Sequence, residues 1–180
     1  MTITLPDNWA DVKLADFQEM DLAENIYEKV AILSDQDPDV IRDTDVPSFV
    51  RIEAALAWIV ELPKEEECKE VITIDEVEYT RIKLSTLSNG QWMDLITWGK
   101  KGLQELHKIM ATLYPDDTDR NKRAELFRTR MNAQDAYSAL VFFSLIKSKS
   151  LVNIEAYLQV EIIKAEMISK MKTSLSVNKD

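Results

Sequence analysis

Leu14-Ala15-Asp16-Phe17-Gln18-Glu19-Met20, near the start of the chain, and Asn89-Gly90-Gln91-Trp92-Met93-Asp94-Leu95, past its middle, read as one pattern met twice. A second block recurs behind each, Tyr27-Glu28-Lys29-Val30-Ala31-Ile32-Leu33 against His107-Lys108-Ile109-Met110-Ala111-Thr112-Leu113, with a small insertion between. What recurs is the placement of apolar residues, not of reactive ones. Phe17, Met20, Ile26, Tyr27, Val30 and Leu33 return mostly every three or four positions, which places them on one helix face. The pattern predicts a mainly α fold made of two pseudo-repeated helical halves. It points to a structural or binding protein and names no reaction.

Working outward, Asp37-Pro38 and Asp45-Val46-Pro47 each read as an N-cap with proline in the first turn. The helix after the second start carries Phe49, Ile52, Leu56 and Ile59, while Ala54, Ala55 and Ala57 allow a neighbour to come close; Leu62-Pro63 ends it. Lys64 to Glu70 is a charged linker. Val71 to Tyr79 then changes to β-branched and aromatic residues around Asp75-Glu76, which predicts a hairpin whose turn lacks the usual glycine. Ser88 with Gln91 forms a capping box at the start of the second half. The matching positions of the first half, Lys13 and Asp16, form none. Leu103, Leu106, Met110 and Leu113 carry the next helix, which Tyr114-Pro115 stops. Asp119 caps a helix with Leu126 and Phe127, and Asn132 with Asp135 caps another over residues 136–146.

The resulting division is a first helical half over 1–63, linker and hairpin over 64–82, a second helical half over 83–147, and a C-terminal segment over 148–180. In that last segment Leu151, Ile154, Leu158, Ile162, Ala165 and Ile168 form the stripe of a long amphipathic helix, to be buried on its own body or on a partner. Leu151, Ile154, Leu158 and Ile162 are therefore candidate partner-binding residues. Trp98, beside Gly99-Lys100-Lys101, is the fifth, as the tryptophan expected to be partly exposed. The other tryptophans, Trp9, Trp58 and Trp92, are expected in the core.

Composition narrows the function. The 180 residues contain 22 Lys and Arg against 32 Asp and Glu, a net charge of −10. Phosphate backbones are held mainly by cations, so direct nucleic-acid binding is not expected, and Lys122-Arg123 and Arg128 to Arg130 read as solvated basic clusters. Three glycines in the whole chain leave little for a phosphate-cradling loop. No apolar run reaches the ~20 residues that span a bilayer, and Met1-Thr2-Ile3-Thr4-Leu5-Pro6 does not read as a signal peptide.

Catalytic candidates are few. His107 is the single histidine and lies in an apolar helical stripe, where a packing role is expected. Cys68, the single cysteine, lies among Glu65, Glu66, Glu67 and Glu70, which disfavour a thiolate. Asp35, Asp37 and Asp39, like Asp117, Asp119 and Asn121, fit the first ligand positions of a calcium loop. Both loops fail at the glycine position, Val40 or Lys122, and at the closing glutamate, Val46 or Arg128. They read better as helix starts. No catalytic residue, cofactor or metal is assigned.

Several stretches together resemble small proteins of tailed bacteriophages and prophages of gut Bacteroidota, including crAss-like phages. They are Ile3-Thr4-Leu5-Pro6 with Trp9, Phe17-Gln18-Glu19-Met20, Ile74-Asp75 through Tyr79, Gln91-Trp92-Met93-Asp94-Leu95, Leu106-His107-Lys108-Ile109-Met110-Ala111, Arg123-Ala124-Glu125-Leu126-Phe127 and Ala139-Leu140-Val141-Phe142-Phe143. The chain departs from them at Asp75-Glu76, where Asp-Gly is expected, and at Lys13, where Thr or Ser is expected. The resemblance implies a non-enzymatic virion-morphogenesis protein, either a tail-assembly chaperone or a small tail structural subunit. Alternatives are a head–tail connector ring subunit and an acidic DNA mimic that inhibits a host nuclease. The implied partners are phage tail or connector proteins or a second copy of the chain, without a membrane, in the host cytoplasm during assembly or in the virion.

Overall fold

The computed structural model describes residues 4–64 and 66–148. The chain divides into two compact units, Met1–Phe142 and Phe143–Asp180. Among the described residues the fold is mainly helical with one small hairpin. The first half holds α1 (Leu14–Leu22), α2 (Ile26–Ser34), α3 (Pro38–Arg42) and α4 (Val46–Ala55), followed by a 3-10 turn over Ala57–Val60. After the antiparallel pair β1 (Val71–Ile74) and β2 (Val77–Thr80) come α5 (Asn89–Gly99), a 3-10 turn over Gly102–Glu105, α6 (Leu106–Leu113) and α7 (Arg120–Arg130). A last helix, α8, runs over 133–148. The stripe of Leu151, Ile154, Leu158 and Ile162 lies outside the described residues.

The apolar face predicted for the first half is split between α1 and α2. Ala23 is extended, and Asn25 starts a new helix by accepting a hydrogen bond from Glu28 N at 3.1 Å. Glu28 answers by accepting from Glu24 N at 2.7 Å. The other helix starts fall where the sequence puts them. Asp37, Asp45 and Asp119 each accept a backbone N–H of their first turn, which satisfies donors that have no partner inside the helix. Ser88 and Gln91 exchange both bonds of the capping box, at 3.2 and 2.9 Å.

Lys13 supplies no side-chain cap, and the backbone takes over. Leu14 N donates to Met131 O at 2.7 Å, Ala133 N donates to Val12 O at 2.8 Å, and Lys13 forms an antiparallel bridge with Asn132. The N-termini of α1 and α8 thus satisfy each other through a short extended pairing.

The hairpin pairs Val71 with Thr80 and Ile74 with Val77, closing on Asp75 and Glu76 at φ 48° and 67°. Both turn residues are left-handed, as a tight two-residue turn requires, although neither is glycine. Ile72, Ile74 and Tyr79 face inward, and Tyr79 meets Phe127 of α7 edge-on with ring centres 5.0 Å apart. Arg81 N and Ile82 N continue the attachment to Glu70 O and Leu113 O, each at 2.7 Å.

One core cluster belongs to the first half: Val30, Ala31, Ile41, Ile52 and Leu56, with Tyr27 and Phe49 ring to ring at 4.9 Å. In the second half α6 is buried on nearly every side by α5, α7 and the Gly102–Glu105 turn. Arg123 corrects the expectation of a solvated cluster. It is only 5 % exposed, and it donates to Ala111 O at 3.0 Å, Thr118 O at 2.9 Å and the Asp116 carboxylate. A buried guanidinium needs such partners to offset its lost hydration. Burial works against Asp116 ionisation, but hydrogen bonds from Thr118 and Arg123 win and hold its carboxyl below the usual range.

Candidate functional site

His107 is half-buried and held by Gln18 of α1, a residue that is 3 % exposed. Gln18 Nε2 donates to Leu103 O at 2.7 Å and Gln104 O at 3.0 Å, and it lies 3.1 Å from His107 Nδ1. Gln104 Nε2 returns a bond to Gln18 O at 2.8 Å. The amide brings two hydrogens to three acceptors in reach, so His107 Nδ1 shares a donor with the two carbonyls. Burial, then the nearby Lys108 ammonium, depresses the His107 pKa. The imidazole serves as a joint between α1 and the second half. Gln18 was not legible as part of that joint, because the residue aligned with it in the similar block, Met93, is an ordinary helix residue.

Cys68 is also structural. It is buried, with Sγ 3.4 Å from Tyr114 Oη, and Tyr114 Oη donates to Lys69 O at 2.5 Å. The phenol's single hydrogen is thereby used, which leaves the thiol as donor to the phenol oxygen. Burial and the Cys68 contact push the Tyr114 phenol well above its usual range. His107 and Cys68 thus have different partners in different places. Among the described residues no group of three or more His, Cys, Asp or Glu is placed to hold a metal ion. No helix among them is long and apolar enough to cross a membrane.

Trp98 is half-buried on α5. The guanidinium of Arg120, at the start of α7, lies 5.0 Å from its ring and reaches Asp94 at 2.7 Å. Asp94 and Trp98 are four residues apart on one helix face, so a single cation bridges both. This ties α5 to α7 and leaves part of the indole open to solvent. The structure does not describe Leu151, Ile154, Leu158 or Ile162.

The least expected feature is the outer surface of the first half. Val46 and Val50 of α4 are 75 % and 54 % exposed, and Val60 and Leu62 beyond it are 86 % and 63 % exposed. Ala54 and Ala57 are exposed as well. A groove of about 580 Å³ runs beside α4, lined by Val40, Ile52, Asp43, Asp45 and Arg51. A second groove, between α1 and α2, has Asp16, Glu19, Glu28 and Asp35 above Ala31 and Ile32. There burial, reinforced by Glu19 and Asp35 and opposed by Lys13, raises the Asp16 pKa. The face expected from the sequence is Phe49, Ile52, Leu56 and Ile59; Val46 and Val50 lie on another side of the helix, and their exposure depends on the absence of a neighbour among the described residues, which local spacing does not encode.

Compared with known proteins, the chain matches no family model, no curated protein and no solved structure.

Proposed function

We propose that this chain is a non-enzymatic bacteriophage morphogenesis protein that works through protein contacts, as a tail-assembly chaperone or a small tail structural subunit. The phage part of this reading rests on the resemblance of the sequence blocks between residues 3 and 146. The contact part rests on one observation: an acidic chain that leaves Val46, Val50, Val60 and Leu62 largely exposed along one stretch. Single exposed apolar residues are ordinary, but several within one short stretch of chain mark a surface that another molecule covers. On this reading the acidic exterior keeps the protein dispersed until that surface is filled.

The two halves are read as related units of one scaffold. Each runs from a helix bearing Phe17 or Trp92, through a helix bearing Val30 or Met110, to a last helix rich in alanine and aromatic residues. Trp98 is a contact residue in this proposal, as are Leu151, Ile154, Leu158 and Ile162. The test is affinity capture of the full chain from host cells producing the particle, with mass spectrometry of purified virions. Tail subunits should be captured with the chain; stoichiometric recovery from virions then assigns a structural subunit, and absence from them a chaperone. Recovery without any virion component would overturn the proposal.

A further inference from the structure

The outward side of α4 carries an apolar stripe that nothing within the described residues covers. Val46, Val50 and Ala54 follow at four-residue spacing, with Pro47 and Ala57 beside them, and all five are exposed. On the opposite side Ile52 and Leu56 fill the core, with Phe49 packed against it. A helix that is apolar on both sides and covered on one presents a groove-and-ridge surface for a second helix. The short side chains of Ala54 and Ala57 permit a close interaxial approach. The surrounding stretch is net acidic. Between residues 38 and 62, Asp39, Asp43, Asp45, Glu53 and Glu61 face only Arg42 and Arg51 as cations, and all seven are exposed.

We infer that the α4 face docks an amphipathic helix of a partner protein, one with small or apolar residues on its buried side and Lys or Arg along its flanks. The apolar stripe supplies the contact area, and the excess of carboxylates around it selects for cations and steers their approach. A second copy of this chain is the poorer occupant, because a symmetric contact through this face would bring two net acidic surfaces together. The inference rests on the reading of the chain as a protein that works through contacts, but it does not need the phage assignment.

The test titrates the isotope-labelled full chain with two designed helical peptides, followed by NMR. One carries leucine and alanine on one side and lysine on the other; its twin has glutamate for every lysine. Amide shifts should centre on residues 46–57, and the lysine peptide should bind more tightly than its twin by about tenfold or more. Val50→Asp, a substitution at an exposed position, should weaken the lysine peptide by a similar factor while thermal unfolding stays unchanged. Equal binding of the twins, shifts centred elsewhere, no binding, or indifference to Val50→Asp would overturn the inference. Self-association of the peptide-free chain that Val50→Asp abolishes would assign the face to a second copy instead. Signals of residues 149–180 that move with Val50→Asp in the peptide-free chain would assign it to the chain's own C-terminal segment. Capture of tail subunits that persists in a Val50→Asp chain would remove this inference and leave the proposed function standing. Peptide binding without any captured virion component would do the reverse.

Discussion

Of the eight residues of α6, Leu106, Ile109, Met110, Ala111, Thr112 and Leu113 are buried, whereas the ten residues of α4 bury Ile52 alone. Both helices are rich in apolar side chains, so composition does not account for the contrast. Neighbours do. Helix α6 is enclosed by α5, α7 and a 3-10 turn, and its last carbonyl, Leu113 O, accepts Ile82 N from the chain just past the hairpin. Helix α4 rests on the first-half cluster by one side only. Burial of apolar area drives folding in proportion to the area removed from water. Helix α6 therefore contributes far more to stability than α4, which adds little beyond its inner face.

The largest break in this picture should come from the polar strut beneath α6. Arg123→Met removes the guanidinium from Ala111 O, Asp116 O and Thr118 O, leaving three carbonyls without this donor, while the exposed Asp116 carboxylate keeps its bonds from Thr118. Each buried or half-buried carbonyl left without its charged donor costs about 1–3 kcal/mol, a total of roughly 3–5 kcal/mol, to be read from urea unfolding midpoints. Next comes the direct contrast between the helices. Ile109→Ala, at a fully buried site, should cost about 2–5 kcal/mol, and Val50→Ala within about 0.5 kcal/mol. Similar losses at the two sites would remove the distinction.

The joint between the halves should respond to acid. The folded pKa of His107 lies below its ordinary 6.5, so as pH falls the unfolded chain takes up this proton first. Stability from this group is complete above pH 6.5 and declines as pH falls from there toward the folded pKa. Comparison of unfolding midpoints for the wild-type chain and His107→Asn between pH 7 and about 5 isolates this slope, which should be absent in the variant. A smaller effect of opposite sign is expected at the hairpin. Glu76 adopts φ 67°, which an L side chain resists, so Glu76→Gly should stabilise the protein by roughly 0.5–1 kcal/mol after glycine's extra unfolded-state entropy is subtracted.

Local chemistry made much of the fold legible. Asp37, Asp45, Ser88, Asp119 and Asn132 announced their helices because a cap is decided within a few residues of chain. The Asp75-Glu76 turn was readable from the β-branched residues on either side, even without glycine. The division between α1 and α2 had a signal in Asn25 and Glu28, a cap with its reciprocal partner, obscured by the regular apolar spacing across it. Arg123 also had one: it stands four residues before Phe127, on the same buried side of α7. Gln18 and the outward face of α4 had none. Their roles depend on what lies across the fold, the Leu103 and Gln104 carbonyls for one and open solvent for the other, and nothing in their own neighbourhood encodes it.

Native-state hydrogen exchange on the full chain tests the division between a structural α6 and an outward α4 most directly. Amides of residues 109–113 should exchange only through global unfolding, with an opening free energy equal to that measured in denaturant, while amides of residues 50–55 should open locally at a clearly lower free energy. Equal opening free energies in the two helices would contradict the account.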